Sequence, residues 1–240
     1  MGNVKTLAQR ELGAYFLSPI AYAVLAMFLF SAGLAFGLGT FAPGNEASLR
    51  TLFENWIVII LAFVLPMLTM RLISDELRVG TIETLMTAPV TETEVVLGKF
   101  LGAFLFYLIL IAALLLYPFL LQFFGPVDPK LLICHYIGLL LLGGLYIAVG
   151  LFFSSCSKHQ VIAVLFSFTV LALMTFASQG LAQLVDAGWL RVVLQQLSVR
   201  SHFQDFVRGM LDLNHVVFFL TTTGLFLFFT VKRLEMRRWQ

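Results

Sequence analysis

Long apolar runs joined by short polar stretches dominate the chain, and the joints are not equivalent. A helix crosses a bilayer with about 20 mostly apolar residues, because every backbone polar group must be paired inside the hydrocarbon. Six runs meet that requirement, at 20–41, 55–73, 100–124, 131–153, 161–184 and 214–231. The second run is short, bracketed by Glu54 and Arg71 and interrupted by Pro66, which leaves five spans as the alternative. Near the start, Val4, Leu7, Ala8, Leu12, Tyr15 and Phe16 recur at helical spacing, with Lys5, Gln9 and Arg10 elsewhere on the wheel. That pattern predicts a helix over 4–17 lying in the membrane surface and broken by Ser18-Pro19. The stretch 185–213 is too charged to span, and it predicts one or two short helices ending near Gly209. The fold class expected is therefore an all-α membrane protein forming a single transmembrane domain.

The joint at 74–99 is far richer than a linker needs to be. Thr81 is placed to cap a short helix whose Ile82, Leu85 and Met86 share one face. Glu83 falls in the first turn of that helix, where the helix dipole favours a carboxylate. Pro89 restricts Ala88 and stops it. Thr91 then starts a second helix, with Glu94 three residues on to complete a capping box. This helix runs through Val95, Val96 and Lys99 into the third apolar run. Two readings follow: the short helix docks in a groove of a cytoplasmic partner and passes its movement to a long rod, or it rests on lipid headgroups.

Composition and charge agree with a bilayer as solvent. Of 240 residues 60% are apolar and 12% charged, against about 45–50% and about 25% in ordinary globular domains. The net charge of +2 gives no sign of a nucleic-acid partner. With six spans, ten Lys and Arg residues fall on the side of the termini and of residues 74–99, and five on the other. The excess puts both termini and the polar joint in the cytoplasm. Glu11 precedes the first apolar run and no cleavage signal is legible, so the N-terminus reads as retained. Cys134 and Cys156 fall near opposite ends of one helix, about 33 Å apart at 1.5 Å per residue, beyond disulfide reach.

The candidate chemistry is sparse. No phosphate-binding G-x4-GK-[ST] loop is present, since Gly98-Lys99 is followed by Phe100. There is no H-E-x2-H zinc pattern and no G-x-S-x-G nucleophile elbow. The chain is therefore read as carrying no enzymatic activity, cofactor or metal of its own, and an intramembrane hydrolase ranks last. The spans hold almost no ionisable residues, unlike ion-coupled carriers. That favours a pump powered from outside or a passive scaffold. His135, His159, His202 and His215 read as interfacial or structural. Gly33-x3-Gly37 and Gly98-x3-Gly102 permit close helix approach, within the bundle or, for Gly33 and Gly37, at a dimer seam. Pro66 and Pro118 are placed to kink their helices. Trp189, His202, Phe203 and Phe206 either gate the outer end of a cargo path or sit at the lipid interface.

Three motifs in order carry a family resemblance that covers essentially the whole chain. E-x3-GT-x-E-x-L-x3-P-x4-E-x3-GK, read from Glu76, Gly80, Thr81, Glu83, Leu85, Pro89, Glu94, Gly98 and Lys99, resembles the cytoplasmic signature of ABC-2 type exporter permeases. REL-x3-F-x-SP-x2-Y, from Arg10 to Tyr22, resembles their entry helix. LS-x3-HF-x2-F-x-RG-x2-DL, from Leu197 to Leu213, resembles their outer connection, and the basic tail at Lys232–Trp239 also fits. Within the family the chain is most similar to compact permeases of the gliding-motility type. The resemblance implies six spans with an N-terminal elbow, a dimer of this permease or a pair with a sister permease, and residence in a bacterial inner membrane. It also implies a cytoplasmic ABC ATPase subunit holding the ATP and magnesium, and the part of an additional envelope subunit is left open. On that reading Thr81–Ala88 is the coupling helix, and Glu76, Glu83 and Glu94 lie at or near the ATPase contact or are paired locally with Arg71 or Arg78. The rival function is a non-transporting scaffold that relays ATPase movement to an envelope or motility partner.

Overall fold

The computed structural model describes residues 2–40, 49, 52–81, 90–123, 128–177 and 196–238. Helix α1 (Gly2–Phe16) is separated by Leu17-Ser18 from α2 (Pro19–Thr40). A π-helical turn (Leu52–Ile57) leads into α3 (Val58–Thr69) and α4 (Arg71–Val79). Next come α5 (Glu92–Ala113), α6 (Leu116–Leu121) and α7 (Pro129–Cys156). After α8 (Gln160–Ala172) a second π-helical turn (Leu173–Ala177) follows. Helices α9 (Val199–Val207) and α10 (Leu213–Arg238) complete the described residues, among which there is no strand.

Five rods are long and apolar enough to cross a membrane: Pro19–Gly39, Leu52–Val79, Glu92–Leu121, Pro129–Cys156 and Leu213–Arg237. They correspond to five of the six expected spans. The other, expected over 161–184, is helical through Ala177, and Gln160–Phe176 is shorter than a membrane crossing. Its remaining residues, 178–184, lie outside the described ones, as do Trp189 and the first part of the 185–213 connection.

Several rods outrun their expected limits, and the second and third do so for local reasons. The second does not stop at Ile73, because Arg71, Asp75, Glu76 and Arg78 are compatible with helix and Met70 keeps right-handed backbone angles between α3 and α4. It ends at Gly80, whose φ of 82° is left-handed and whose N–H donates to the Glu76 carbonyl at 3.0 Å. The third rod starts at Glu92 under the expected capping box: Thr91 Oγ1 accepts from Glu94 N–H at 3.2 Å, and Glu94 Oε2 accepts from Thr91 N–H at 3.0 Å. That rod breaks at Leu114-Leu115. Pro118 explains the position, since its ring crowds the carbonyl four residues back, at Leu114. Pro66 lies inside an unbroken α3.

Helix α7 is the hub of the bundle, with 72% of its apolar window buried against 17% for α10. Its small residues receive the other helices. A side chain at Gly143 would meet the ring of Tyr107, whose hydroxyl donates to the Leu139 carbonyl at 2.7 Å. One at Gly150 would meet Thr69, and one at Gly138 would meet Phe206. A turn beyond Gly150, Ser154 Oγ accepts from the Ile73 and Ser74 N–H groups at 3.0 and 3.1 Å and donates to the Met70 carbonyl at 2.8 Å. Cys134 and Cys156 sit at the two ends of this one helix, and both are free thiols.

Candidate functional site

Residues of the signature expected to be cytoplasmic converge where α1, α4 and α5 meet. Alpha-helical spacing puts Val4, Leu7, Ala8, Glu11, Leu12 and Tyr15 on one face of α1, and Ala8 and Tyr15 are buried. That face lies on α5 at Gly98 and Gly102. A methyl added at either glycine would stand 2.6 Å from a Cβ of α1, that of Leu7 or Glu11 respectively. The pair Gly98-x3-Gly102 is thus a seat for the N-terminal helix, and α1 is packed on protein along this face.

Lys99 lies between those glycines, with its side chain only 2% exposed. Its ammonium has three N–H donors and meets three acceptors: Glu76 Oε1 at 2.7 Å, the Leu72 carbonyl at 2.7 Å and Glu11 Oε1 at 3.2 Å. The exposed Arg10 closes the cluster from the rim, at 2.9 Å from Glu11 and 3.5 Å from Glu76. Two carboxylates and two cations balance. Burial pushes the Glu11 carboxyl up, but Lys99 and Arg10 outweigh it and hold it below its ordinary value. A buried ammonium without such partners is costly by several kcal/mol on the order of the desolvation penalty. Here every proton is used.

Arg71 takes different partners. Its Nη1 donates to Ser18 Oγ at 2.7 Å, and its guanidinium lies 5.6 Å from the centre of the Tyr15 ring. Tyr15 in turn donates to the Leu68 carbonyl at 3.1 Å. Asp75 accepts from Gln160 at the start of α8. Tyr15, Arg71 and Asp75 line a cleft of about 290 Å³ together with Glu11, Glu76 and Lys99.

Among the expected coupling residues, the structure brings Glu76, Gly98 and Lys99 together, with Gly80 ending α4 one turn away and Glu94 opening α5. Glu76 pairs with Lys99 and Arg10, a different choice from the expected Arg71 or Arg78. Thr81 is exposed just beyond Gly80. Ile82, Glu83, Leu85, Met86 and Pro89 lie outside the described residues. Of the first-span glycines, Gly33 faces the Tyr117 hydroxyl within the bundle, whereas Gly37 has open space before it.

The outer candidates resolve differently. Phe203 and Phe206 are fully buried and His202 is 8% exposed, packed against Gly138 of α7 and Phe218 of α10. The lipid-interface reading of these three residues is corrected: their cover is the chain's own helices. His135 likewise is a buried residue, bonded through Nε2 to the Val207 carbonyl at 2.9 Å and stacked on Phe53.

Sequence reasoning named Glu11 and His215 without giving either a site role, and did not single out Ser154. Glu11 announces itself as the one acid on the apolar stripe between Ala8 and Tyr15. Gly150-x3-Ser154 is a small-x3-small pattern of the kind that admits a close helix crossing. His215 carries no local signal.

Among the described residues no group of His, Cys, Asp and Glu is arranged to hold a metal ion. No curated protein matches the chain. Residues 40–201, about two thirds of the chain, match the family described as ABC-2 family transporter protein. The matched residues run from the end of α2 to the start of α9 and contain Glu76 and Lys99, while Glu11 precedes them. With its five membrane-length apolar rods, the chain belongs to the ABC-2 transporter family as a multi-pass membrane permease of an ABC transporter, a family membership that implies an ABC ATPase subunit as its associate.

Proposed function

We propose that this permease moves its substrate outward, driven by ATP hydrolysis in a separate cytoplasmic subunit whose push arrives at residues 74–99. The observation that carries the reading is the Lys99 cluster. It ties the rod that enters residues 82–89 (α4), the rod that leaves them (α5) and the N-terminal helix α1 into one unit through a single buried ammonium. A load applied between Gly80 and Thr91 then tilts three helices together rather than bending one. Glu83, Ile82, Leu85 and Met86 form the docking face, α1 is the elbow, and both termini are cytoplasmic in a bacterial inner membrane.

In the full reading 161–184 is the sixth span, and the permease works as a dimer or with a sister permease of the compact gliding-motility type. This chain supplies no catalytic group, and ATP and magnesium are held by the ATPase. The seat for α1 and the capping of α5 both favour a stiff lever over a flexible joint.

The test is reconstitution of the permease with its ATPase in vesicles. Glu83→Ala and Leu85→Asp are expected to lower permease-dependent ATPase stimulation at least about tenfold, the equivalent of about 1.4 kcal/mol of coupling, while membrane insertion is unchanged. Parent-like regulation in both variants overturns the coupling assignment. ATPase regulation with no ATP-dependent cargo movement in the parent protein overturns export in favour of the relay scaffold.

A further inference from the structure

At the end of the bundle away from Lys99, two histidines from different helices meet. His202 of α9 and His215 of α10 approach Nδ1 to Nδ1 at 2.6 Å. The remaining nitrogen of each is also engaged: His202 Nε2 lies 3.0 Å from the Gln196 carbonyl oxygen, and His215 Nε2 lies 2.9 Å from Asp205 Oδ2. A carbonyl and a carboxylate only accept, so both Nε2 atoms must donate. The Nδ1–Nδ1 contact needs one proton more. Two neutral imidazoles have two N–H groups between them, and three are required. The geometry therefore describes a histidine pair holding one extra proton, with Asp205 as the counter-charge.

We propose that this pair is an acid-sensitive latch between α9 and α10, closed while the two rings share a single positive charge and opened when a second proton arrives. A fourth N–H would put hydrogens on both facing Nδ1 atoms, 2.6 Å apart, with no acceptor between them and two like charges in contact. The rings must then separate. His202 has no other direction to move freely, being stacked on Phe218 at 4.1 Å and 8% exposed. Its displacement would unseat α9, whose Phe203 and Phe206 fill the space over Gly138 of the hub helix.

Among the described residues the charged and titratable surroundings are few. On α9 itself, Arg208 lies 3.5 Å from Asp205, and Arg200 points away to Asn55 of the first π-helical turn at 2.8 Å. Glu54 lies on that same turn. From α7 come His135, turned to the Val207 carbonyl, and Cys134, near the Gly209 carbonyl at 3.7 Å. Asp212 caps the start of α10 through the Asn214 N–H. Among the described charged residues, Asp205 is the one that touches the pair directly. Burial, opposed by the hydrogen bond to Gln196, pushes His202 below its ordinary value, so this ring resists taking up the second proton.

The proposal stands apart from the coupling reading and is tested on the full chain alone, in nanodiscs. Amide hydrogen exchange of residues 199–207, corrected for intrinsic rates, is followed from pH 7.5 to 5. The parent protein is expected to lose protection there by about tenfold per pH unit once the second proton binds. His202→Gln supplies an amide N–H for Gln196 and an oxygen for His215 but cannot titrate, so its protection should stay flat. An acid loss equal in both proteins, or none in the parent, overturns the latch. Side-chain nitrogen spectra of labelled histidine in the parent provide a second check that needs no variant. At pH 7 one ring of the pair should be doubly protonated and the other singly, and two singly protonated rings there also overturn it.

Discussion

The two ends of this bundle each bury a charge, and they do so by opposite means. At one end a lysine from α5 spends its three donors on three acceptors from α1 and α4. At the other, two histidines on α9 and α10 share one proton beside a single carboxylate. Lys99 is tied by all three donors to acceptors on two other helices, so the first arrangement is a fixed strut. Histidine changes charge close to neutrality, so the second is conditional. A membrane protein that must move can use both kinds of joint, and here they lie at opposite ends of the bundle. The seats differ too. Gly98 and Gly102 receive a helix at the edge of the bundle, whereas Gly138 belongs to the hub helix itself.

The largest effect expected from breaking this contrast is at the strut. Lys99→Met keeps the length of the side chain and removes its charge, leaving Glu11 and Glu76 with only the exposed Arg10 to offset them. Loss of one partner from a buried pair costs about 3–5 kcal/mol. The carboxylates keep 13% and 20% exposure, so about 2–4 kcal/mol is the expectation here. Thermal unfolding in detergent reads it, and exchange in α9 at the far end should be unaltered at neutral pH. A variant that melts with the parent would reduce the cluster to an ornament on packing that holds without it.

How much of this contrast the amino-acid sequence announces depends on distance along the chain. The five long rods follow from apolar runs, and the capping box follows from Thr91 and Glu94 three residues apart, because both signals are local. Gly98 and Lys99 were identifiable as important residues through the family resemblance. Their partners were not. Glu11 is 88 positions from Lys99, and which acid meets that ammonium is decided only when α1 settles on the two glycines. Glu76 therefore finds Lys99 and Arg10, although Arg71 and Arg78 are nearer in the chain. His202 and His215 are 13 positions apart, but α9 must fold back on α10 before the pair exists. The helix ends are local signals too: Gly80 is legible as a stop, and Arg71, Asp75, Glu76 and Arg78 are compatible with continuing the helix past Ile73 to reach it.

An acid titration separates the two ends next, with a smaller effect on total stability. His202 is held below its ordinary value of 6.5 in the folded chain. Its contribution is whole above that value and is lost as pH falls, because the unfolded chain takes up the proton first. Glu11 is held below its ordinary 4.5. Its contribution is likewise complete above 4.5 and lost only as pH falls through the lower folded value. Between those two ordinary values the histidine end should therefore loosen while the lysine end stays closed. Exchange protection of residues 199–207 and of residues 4–15 followed together checks the order. Simultaneous loss, or loss at α1 first, removes the distinction between strut and conditional joint.

The smallest expected effect compares the caps that start the helices at each end. Thr91→Ala removes the side-chain oxygen that accepts from Glu94 N–H, and Ser198→Ala removes the one that accepts from Ser201 N–H at 3.3 Å. Each cap is worth about 1 kcal/mol. The consequences should differ because the helices do. Helix α5 is 22 residues long and held two turns in by Lys99, so Thr91→Ala should fray only its first turn, at 92–95. Helix α9 has nine residues, less than an isolated helix needs to persist in water. It therefore depends on its cap and on Phe203 and Phe206 together, and Ser198→Ala should raise exchange along its whole length by about fivefold, the equivalent of its lost cap. Equal, first-turn fraying in both variants would mean that packing on α7 alone holds α9, and that the histidine contact adds nothing to its anchorage.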